Sequence, residues 1–235
     1  IQHGKNSQLH HFVALDLSEL DKCIRHVQIA ALMLPMHWIP DYEGLVRVVD
    51  SRISAAITAL VRRPPRRQWQ IQQPLLLQSF RSCKRQFRKQ VAPFPVTTDS
   101  ETLADLLNLS HGLNEKILFH GTDPVVAEAI LEQGLDARLA RQGLFGYGTY
   151  FAEDLNKALQ YGSTVIVARV LLGRVREISN HNPQLVRPLC VSGCVVNYCT
   201  HELCDSVCGA VPGVAREFIV YQNDLIYPEF VIDLS

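Results

Sequence analysis

A histidine, a glycine and a threonine follow one another at the end of a short apolar run, Leu118-Phe119-His120-Gly121-Thr122. A histidine at a strand end can hydrogen-bond a ribose hydroxyl through one ring nitrogen while the scaffold holds the other. Gly121 has no side chain, so a planar amide can approach its backbone closely. Taken alone, the pattern is equally typical of a strand that ends in a turn with a surface histidine.

A second group of residues is a glycine-punctuated loop, Gly143–Ala152, that runs into an aromatic pair. Tyr161 follows eleven residues after Tyr150, at the end of a predicted short helix. Two tyrosines brought together by a strand and a returning helix can sandwich a flat heteroaromatic ring. The alternative is a pair of half-buried core tyrosines. Gly146 and Gly148 do not match a dinucleotide fingerprint, which argues against a Rossmann fold.

The elements that must position these residues differ along the chain. Apolar residues recur every three or four positions over Leu15–Ile29 and Leu45–Leu60, which predicts two helices. A third helix is predicted after Pro74, with Leu75, Leu76, Phe80 and Phe87 on one stripe, and it ends before Pro93.

Beyond that point, short apolar runs alternate with turn residues, as in a mixed or mainly β domain. A helix is predicted from Pro124 to Gln133, because Asp123 can cap its first turn and Gly134 can end it. A second short helix is predicted from Asp154 to about Gln160. The predicted strands are Lys116–Phe119, Thr164–Leu171, Arg216–Tyr221 and Tyr227–Ile232.

The charges balance, with 23 Lys plus Arg and 23 Asp plus Glu among 235 residues, so the sequence does not indicate nucleic-acid binding. The basic run between Arg62 and Lys89 is interpreted as a solvated helix face. No apolar stretch reaches the roughly 20 residues of a membrane span. Because the chain begins at Ile1, we expect it to be part of a longer product. Its oligomeric state is not indicated.

Seven cysteines argue against a complete disulfide framework. Cys23 and Cys83 stand alone, whereas the others cluster around His201 at Cys190, Cys194, Cys199, Cys204 and Cys208. A zinc-stabilised interaction domain is one hypothesis. Because no Cys-x-x-Cys pair occurs, free thiols in a reducing compartment are favoured instead. We therefore expect no metal and an intracellular location, cytoplasmic or nuclear.

Several motifs, in this order, resemble the catalytic domain of the poly(ADP-ribose) polymerase family, the diphtheria-toxin-like ADP-ribosyltransferases. The similarity covers roughly Trp69 to Leu234. Arg67–Lys84 resembles the opening strand and helix of the family, Asn114–Thr122 its histidine strand, and Phe145–Tyr161 its tyrosine strand with the helix after it. Asp205-Ser206-Val207 resembles a short late motif, and Arg216–Tyr221 and Tyr227–Phe230 resemble the two closing strands.

The resemblance implies an α+β fold, a split and mainly antiparallel β domain with an NAD cleft. Residues 1–63 are then a small helical N-terminal region, regulatory or substrate-recognising, and residues 64–235 the catalytic domain. The implied activity is transfer of ADP-ribose from NAD, the co-substrate, to a protein acceptor with release of nicotinamide. Addition of single units is preferred over chain elongation. The alternative is a catalytically silent module that binds NAD or ADP-ribose.

By the same resemblance, the family's His-Tyr-Glu triad corresponds to His120, Tyr150 and Glu217. His120 would orient NAD through a ribose hydroxyl, and Tyr150 and Tyr161 would stack on the nicotinamide. Glu217 would stabilise the positive charge that builds on the ribose, although a glutamate at the start of a strand is more often a solvated charge. Asp224 and Glu229 are nearby alternatives. The predicted NAD-binding set is His120, Gly121, Thr122, Tyr150, Phe151, Ala152, Ala158 and Tyr161.

Two features depart from the family pattern, Ala158 and the short loop Leu135–Phe145, whereas Lys157 agrees with it. Ala158 stands where the family usually places a serine that donates to the nicotinamide amide, and the loss of one neutral hydrogen bond costs about 1 kcal/mol of NAD binding. Lys157 matches a basic residue of chain-elongating members. Arg138 and Arg141 in the short loop after Leu135 either reach the adenosine or phosphates of NAD or remain solvated.

Overall fold

The computed structural model describes residues 45–48, 50–62, 64–87, 91–98, 101–194 and 199–234. The predicted helix Leu15–Ile29 and Cys23 lie outside them. Within the described residues, the strands are β1 (Leu45–Arg47), β2 (Arg67–Ile71), β3 (Glu115–Thr122), β4 (Thr149–Ala152), β5 (Thr164–Leu171), β6 (Val175–Ile178), β7 (Ser206–Gly209), β8 (Glu217–Val220) and β9 (Ile226–Asp233). The α-helices are α1 (Ser51–Val61), α2 (Pro74–Gln86), α3 (Glu101–Leu107), α4 (Pro124–Gln133) and α5 (Leu155–Ala158).

Nine strands of the described part of the chain form one sheet in the order β1-β2-β9-β5-β3-β4-β8-β7-β6. All neighbours are antiparallel except β6 and β7. Whereas β3 pairs with β5 along its whole length, a single residue pair, Phe119 with Ala152, joins β3 to β4. The sheet is therefore split at that point, and the predicted α+β, mainly antiparallel architecture is confirmed.

The two faces of the sheet carry separate cores because strand residues alternate between them. On β3, Leu118 belongs to one core, while Ile117 and Phe119 belong to the other. The first core packs against α2 and α4, and the second against α1, α3 and α5. The central strands are thus buried on both sides, which fixes the position of every residue that they carry.

Local sequence signals set most of the element ends correctly. The Asp123 carboxylate accepts a hydrogen bond from the Val126 N–H at the start of α4, and Gly134 ends that helix with a positive φ. Asp154 caps α5 in the same way by accepting from the Asn156 N–H. Thr164–Leu171 matches its predicted strand, and the other three predicted strands differ at their ends by one to three residues.

Three predictions about elements are corrected. The predicted helix Leu45–Leu60 is instead a strand followed by a helix, because the side chain of Asp50 caps the first turn of α1 and so starts the helix at Ser51. The predicted helix from Asp154 to Gln160 has only one turn, Leu155–Ala158. Leu75 is 79% exposed and does not share the buried side of α2 with Phe80.

β1 and α1 pack on the same sheet as the residues that follow them. β1 pairs with β2, and Ala56, Ile57 and Val61 of α1 belong to the core that contains Phe230. These two elements therefore pack against the domain that was predicted to begin at residue 64. The role of residues 1–63 stays a prediction. Among the described helices, none is both long enough and apolar enough to cross a membrane.

Candidate active site

A small cavity opens where the sheet splits between β3 and β4. Its volume is about 80 Å³. The lining residues come from β3, β4, α5, the segment after α5, and β8: Phe119, His120, Gly121, Tyr150, Phe151, Ala152, Ala158, Tyr161 and Glu217. The structure thus brings together all the residues predicted for the site except Thr122, which is buried and paired with Thr164 in β5. Phe119 is a lining residue that the sequence had indicated only as part of a strand.

His120 is held by the neighbouring strand. Its Nδ1 lies 2.8 Å from the backbone carbonyl oxygen of Tyr150, and because a carbonyl can only accept, Nδ1 donates. In the neutral ring, Nε2 is then an acceptor. Burial lowers the pKa of His120 below its ordinary value of 6.5, against the opposing effect of this hydrogen bond. The imidazole is therefore oriented, neutral at pH 7, and able to accept a hydrogen bond from a hydroxyl.

Gly121 is required by the close approach of α5. A Cβ atom at this position would lie only 1.8 Å from the backbone oxygen of Ala158. Ala158 itself is 1% exposed, so the helix cannot move away without disturbing the core. The absence of a side chain at Gly121 therefore lets the single turn of α5 form one wall of the cavity.

The side chain of Tyr150 is held at its hydroxyl end. Its hydroxyl accepts a hydrogen bond from the Phe145 N–H at 2.9 Å and donates one to the Gly146 carbonyl at 2.8 Å. A Cβ on Gly143 would collide with the ring at 2.5 Å, so this glycine lets the loop fold over the tyrosine. Burial raises the pKa of Tyr150 to about 12. Its role in the structure is that of a rigid aromatic wall, not of an acid or base.

Glu217 begins β8 and is almost completely buried. Its neighbours in the sheet are Ala152 on one side and Gly209 on the other. Its Oε1 accepts a hydrogen bond from the Tyr161 hydroxyl at 2.8 Å and lies 3.3 Å from the Lys157 ammonium. A buried carboxylate with a cationic and a hydroxyl partner in a cavity is a functional-site candidate. The alternative of a solvated strand charge is thereby ruled out.

Tyr161 is the exposed lining residue of the cavity, and Lys157 lies beside it. The Tyr161 side chain is 57% exposed, and the Lys157 Nζ lies 5.3 Å from the centre of its ring. Partial burial, followed by the hydrogen bond to Glu217, raises the pKa of Tyr161. Burial opposes the charge of Lys157, but Tyr161 and Glu217 together raise its pKa, so it stays an ammonium beside the carboxylate.

The other two carboxylates considered from the sequence are used elsewhere. Asp224 accepts a hydrogen bond from the Ser79 hydroxyl at 2.6 Å on an exposed part of the surface. Glu229 accepts from the Gln70 side chain and lies 3.5 Å from Arg169. Neither lines the cavity, so Glu217 is its acidic residue.

A charged pair next to the cavity was not found by sequence reasoning. Arg216 donates to both carboxylate oxygens of Glu153, at 2.6 and 2.8 Å, and Glu153 also accepts from the Thr97 N–H. Sixty-three positions separate the two charged residues, so no local pattern indicates their contact. The pair fastens the start of β8 to the end of β4.

The cysteine cluster divides into two groups. The sulfur atoms of Cys190, Cys194 and Cys199 and a ring nitrogen of His201 all lie within 4.8 Å of one another. Cys204 and Cys208 are buried thiols outside this group. Among the described residues, this is the set of side chains arranged to hold a metal ion.

The sequence also matches known proteins. Residues 67–190 match the family model of the poly(ADP-ribose) polymerase catalytic domain. The chain is 29% identical over 139 residues to the protein mono-ADP-ribosyltransferase PARP12 of Homo sapiens, covering 54% of this chain and 18% of that protein. It is 30% identical over 149 residues to the protein mono-ADP-ribosyltransferase PARP11 of Mus musculus, covering 52% and 42%. The chain thus spans less than half the length of these curated relatives.

Proposed function

Because the chain belongs to the poly(ADP-ribose) polymerase catalytic-domain family, we propose that it transfers ADP-ribose from NAD to a protein acceptor and releases nicotinamide. The observation that carries the proposal is the meeting of His120, Tyr161 and Glu217 in one cavity at the split of the sheet. These residues come from three separate segments of the chain. A histidine acceptor, an aromatic ring and a buried carboxylate are the groups that binding and cleaving a nicotinamide riboside require.

The nicotinamide ring is proposed to lie between Tyr150 and Tyr161. Tyr150 offers a fixed face because its hydroxyl is tied to the Phe145–Gly146 backbone. Tyr161 offers the outer face and, being half exposed, can adjust to an entering ring. Stacking of a flat heteroaromatic ring on such side chains adds about 0.5–1.5 kcal/mol beyond the area that is buried.

His120 is proposed to orient the sugar. With Nδ1 donating to the Tyr150 carbonyl, the neutral ring can accept a hydrogen bond from a ribose hydroxyl at Nε2. The lowered pKa of His120 matters here, because a protonated ring would have no acceptor atom. The backbone of Gly121, next along the strand, is proposed to bind the nicotinamide amide.

Glu217 is proposed to stabilise the transition state. The bond between ribose C1′ and the nicotinamide nitrogen breaks, its electron pair leaves with nicotinamide, and positive charge builds on the sugar. A fixed carboxylate that accepts the ribose 2′-hydroxyl stabilises this charge, as in glycoside cleavage. The acceptor nucleophile then bonds to C1′ and releases its proton to water. Because nicotinamide leaves as a neutral molecule, it needs no general acid.

Addition of a single ADP-ribose unit is the preferred form of the reaction. The relatives named above are mono-ADP-ribosyltransferases, and the chain matches only part of the length of each. The alternative of a catalytically silent module is not favoured, because the matching proteins are named as transferases and the carboxylate is present in the cavity.

The test is incubation of the chain with labelled NAD and a protein mixture, comparing wild type with Glu217→Gln. We expect label on protein with wild type and a loss of at least about 100-fold in the variant, the scale on which removing one preorganised electrostatic group slows an enzyme. Glu128→Gln, the same change on the exposed side of α4, is the control and keeps full activity. Undiminished transfer by Glu217→Gln would refute the assignment of the carboxylate.

A further inference from the structure

The segment between β6 and β7 contains a second set of side chains that could do chemistry. Cys190, Cys194 and Cys199 contribute thiols, and His201 contributes its Nδ1 atom. All four atoms lie within 4.8 Å of one another, although the residues span twelve positions of the chain. The mechanism proposed above uses none of them.

We propose that Cys190, Cys194, Cys199 and His201 bind one zinc ion as a structural Cys₃His site. Zinc bonds of about 2.3 Å to sulfur and about 2.0 Å to nitrogen in a tetrahedron place a sulfur and a nitrogen ligand roughly 3.5 Å apart. The His201 Nδ1 lies 3.3 Å from the Cys194 sulfur and 3.9 Å from the Cys190 sulfur. Both distances are close to this sulfur–nitrogen separation.

The backbone around the cluster brings the first two cysteines together. A turn follows Cys190, in which the Gly193 N–H donates to the Cys190 carbonyl and Gly193 has a positive φ of 74°. The Cys194 N–H then donates to the Cys190 sulfur at 3.2 Å. Backbone donors to sulfur stabilise a thiolate, which is the form that binds zinc.

Charge nearby also favours a metal complex. Three thiolates, one neutral imidazole and Zn²⁺ carry a net charge of about −1. The guanidinium of Arg176 packs against Gly193, in the turn between the first two cysteines. Its buried Nε has no hydrogen-bond partner within the described structure, so an anionic centre in this turn would give it a favourable electrostatic neighbour.

The position of the site indicates a supporting role. Four protein ligands fill a tetrahedron, which leaves no open coordination position for catalysis. The same segment holds the loop that fixes Tyr150, because the Tyr147 N–H donates to the Leu185 carbonyl and the Asn182 N–H donates to the Leu144 carbonyl. A zinc ion would therefore stabilise the segment that supports one wall of the NAD cavity.

The proposal extends beyond the family match. The matched region ends at Cys190, so the other three ligands lie outside it. It also reverses the expectation from the sequence that no metal binds, which rested on the missing Cys-x-x-Cys pairs. The wider spacings are accommodated because Cys190 and Cys194 flank a turn, while His201 comes back beside them through the bridge between Cys190 and Leu203.

The test is elemental analysis of the whole chain, purified with a reductant and without chelators. We expect about one zinc ion per chain, lost in Cys190→Ser and in His201→Ala. Cys83→Ser and His111→Ala are matched controls outside the cluster and keep the metal. Because the His201 side chain is exposed, its variant should still fold even where Cys190→Ser does not.

A second measurement needs no variant. Cobalt(II) added to chelator-treated wild type should give the intense visible bands of a tetrahedral site and the near-ultraviolet band of thiolate ligands, and zinc should abolish them. Zinc removal should also lower the unfolding temperature. Metal-free protein with reduced thiols and no cobalt spectrum would overturn the proposal, as would a disulfide between two of the three cysteines or zinc that both variants retain.

Discussion

The Tyr161 hydroxyl donates a hydrogen bond to the Glu217 Oε1 over 2.8 Å. The bond links the outer aromatic wall of the cavity, on the segment after α5, to the carboxylate at the start of β8. The Lys157 ammonium approaches the same oxygen to 3.3 Å. The proposed ring-stacking residue and the proposed charge-stabilising residue therefore form one connected group, and a substrate hydroxyl that binds Glu217 has to share the carboxylate with them.

Two substitutions at Tyr161 separate stacking from hydrogen bonding. Tyr161→Ala removes the ring, so we expect the Kd for NAD and for nicotinamide to rise by about tenfold, the equivalent of about 1.4 kcal/mol. Tyr161→Phe keeps the ring and should change nicotinamide affinity by less than about twofold, while the transfer rate falls because Glu217 loses an orienting partner. Calorimetric titration and initial rates measure the two effects.

Because Tyr161 is 57% exposed, both variants should unfold at nearly the wild-type temperature. Wild-type affinity for nicotinamide in Tyr161→Ala would show that this ring does not stack on the substrate.

Ala158→Ser should strengthen NAD binding. Ala158 lines the cavity beside Gly121, at the position where a serine hydroxyl would donate to the nicotinamide amide. One added neutral hydrogen bond contributes about 1 kcal/mol, so we expect the Kd to fall by roughly fivefold. Ala127→Ser, another buried helix alanine but away from the cavity, is the control and leaves the Kd unchanged. No gain in Ala158→Ser would mean that the amide does not point toward α5.

His120 should make stability depend on pH. Burial lowers its folded-state pKa below the ordinary 6.5, so between these two values the unfolded chain binds a proton that the folded chain does not. The free energy of unfolding therefore falls as the pH drops through this window, by at most about 1.4 kcal/mol per pH unit.

Denaturant unfolding from about pH 7 to about pH 5, for wild type and His120→Gln, measures this contribution. The variant should lose less stability than wild type as the pH falls. His111→Gln, a change at an exposed histidine, is the control. Identical pH profiles for His120→Gln and wild type would contradict the prediction.

Arg216→Gln should destabilise the fold much more than the same change at an exposed arginine. It leaves the Glu153 carboxylate, which is 7% exposed, without its bidentate arginine partner. This loss lowers the free energy of unfolding by about 2–4 kcal/mol. The Arg52 side chain is 73% exposed and pairs with Asp50 on the surface, so Arg52→Gln should cost less than about 0.5 kcal/mol. Equal midpoints of urea unfolding for the two variants would refute a structural role for the Arg216 pair.

Local sequence patterns predicted the elements whose signals are complete within a few residues. Asp123, Pro124 and Gly134 marked both ends of α4. The mostly apolar run Thr164–Leu171, interrupted by Arg169, marked a strand buried on both faces. The short length of α5 was missed, since propensity does not place a helix end that tertiary packing decides. The break between β1 and α1 was missed although Asp50 is a local capping signal, because the apolar periodicity continues across it.

The sequence by itself indicated most of the residues that line the cavity, because ordered motifs resemble a family pattern for His120, Tyr150, Tyr161 and Glu217. It included Thr122, which does not line the cavity, and did not indicate Phe119 as a lining residue. Only the tertiary structure decided their surroundings. The hydrogen bond from Tyr161 to Glu217 spans 56 positions, the pair of Glu153 and Arg216 spans 63, and the convergence of Cys190, Cys194, Cys199 and His201 follows from a turn and a returning bridge. Such contacts arise from sheet register and chain reversal, which a linear pattern does not encode.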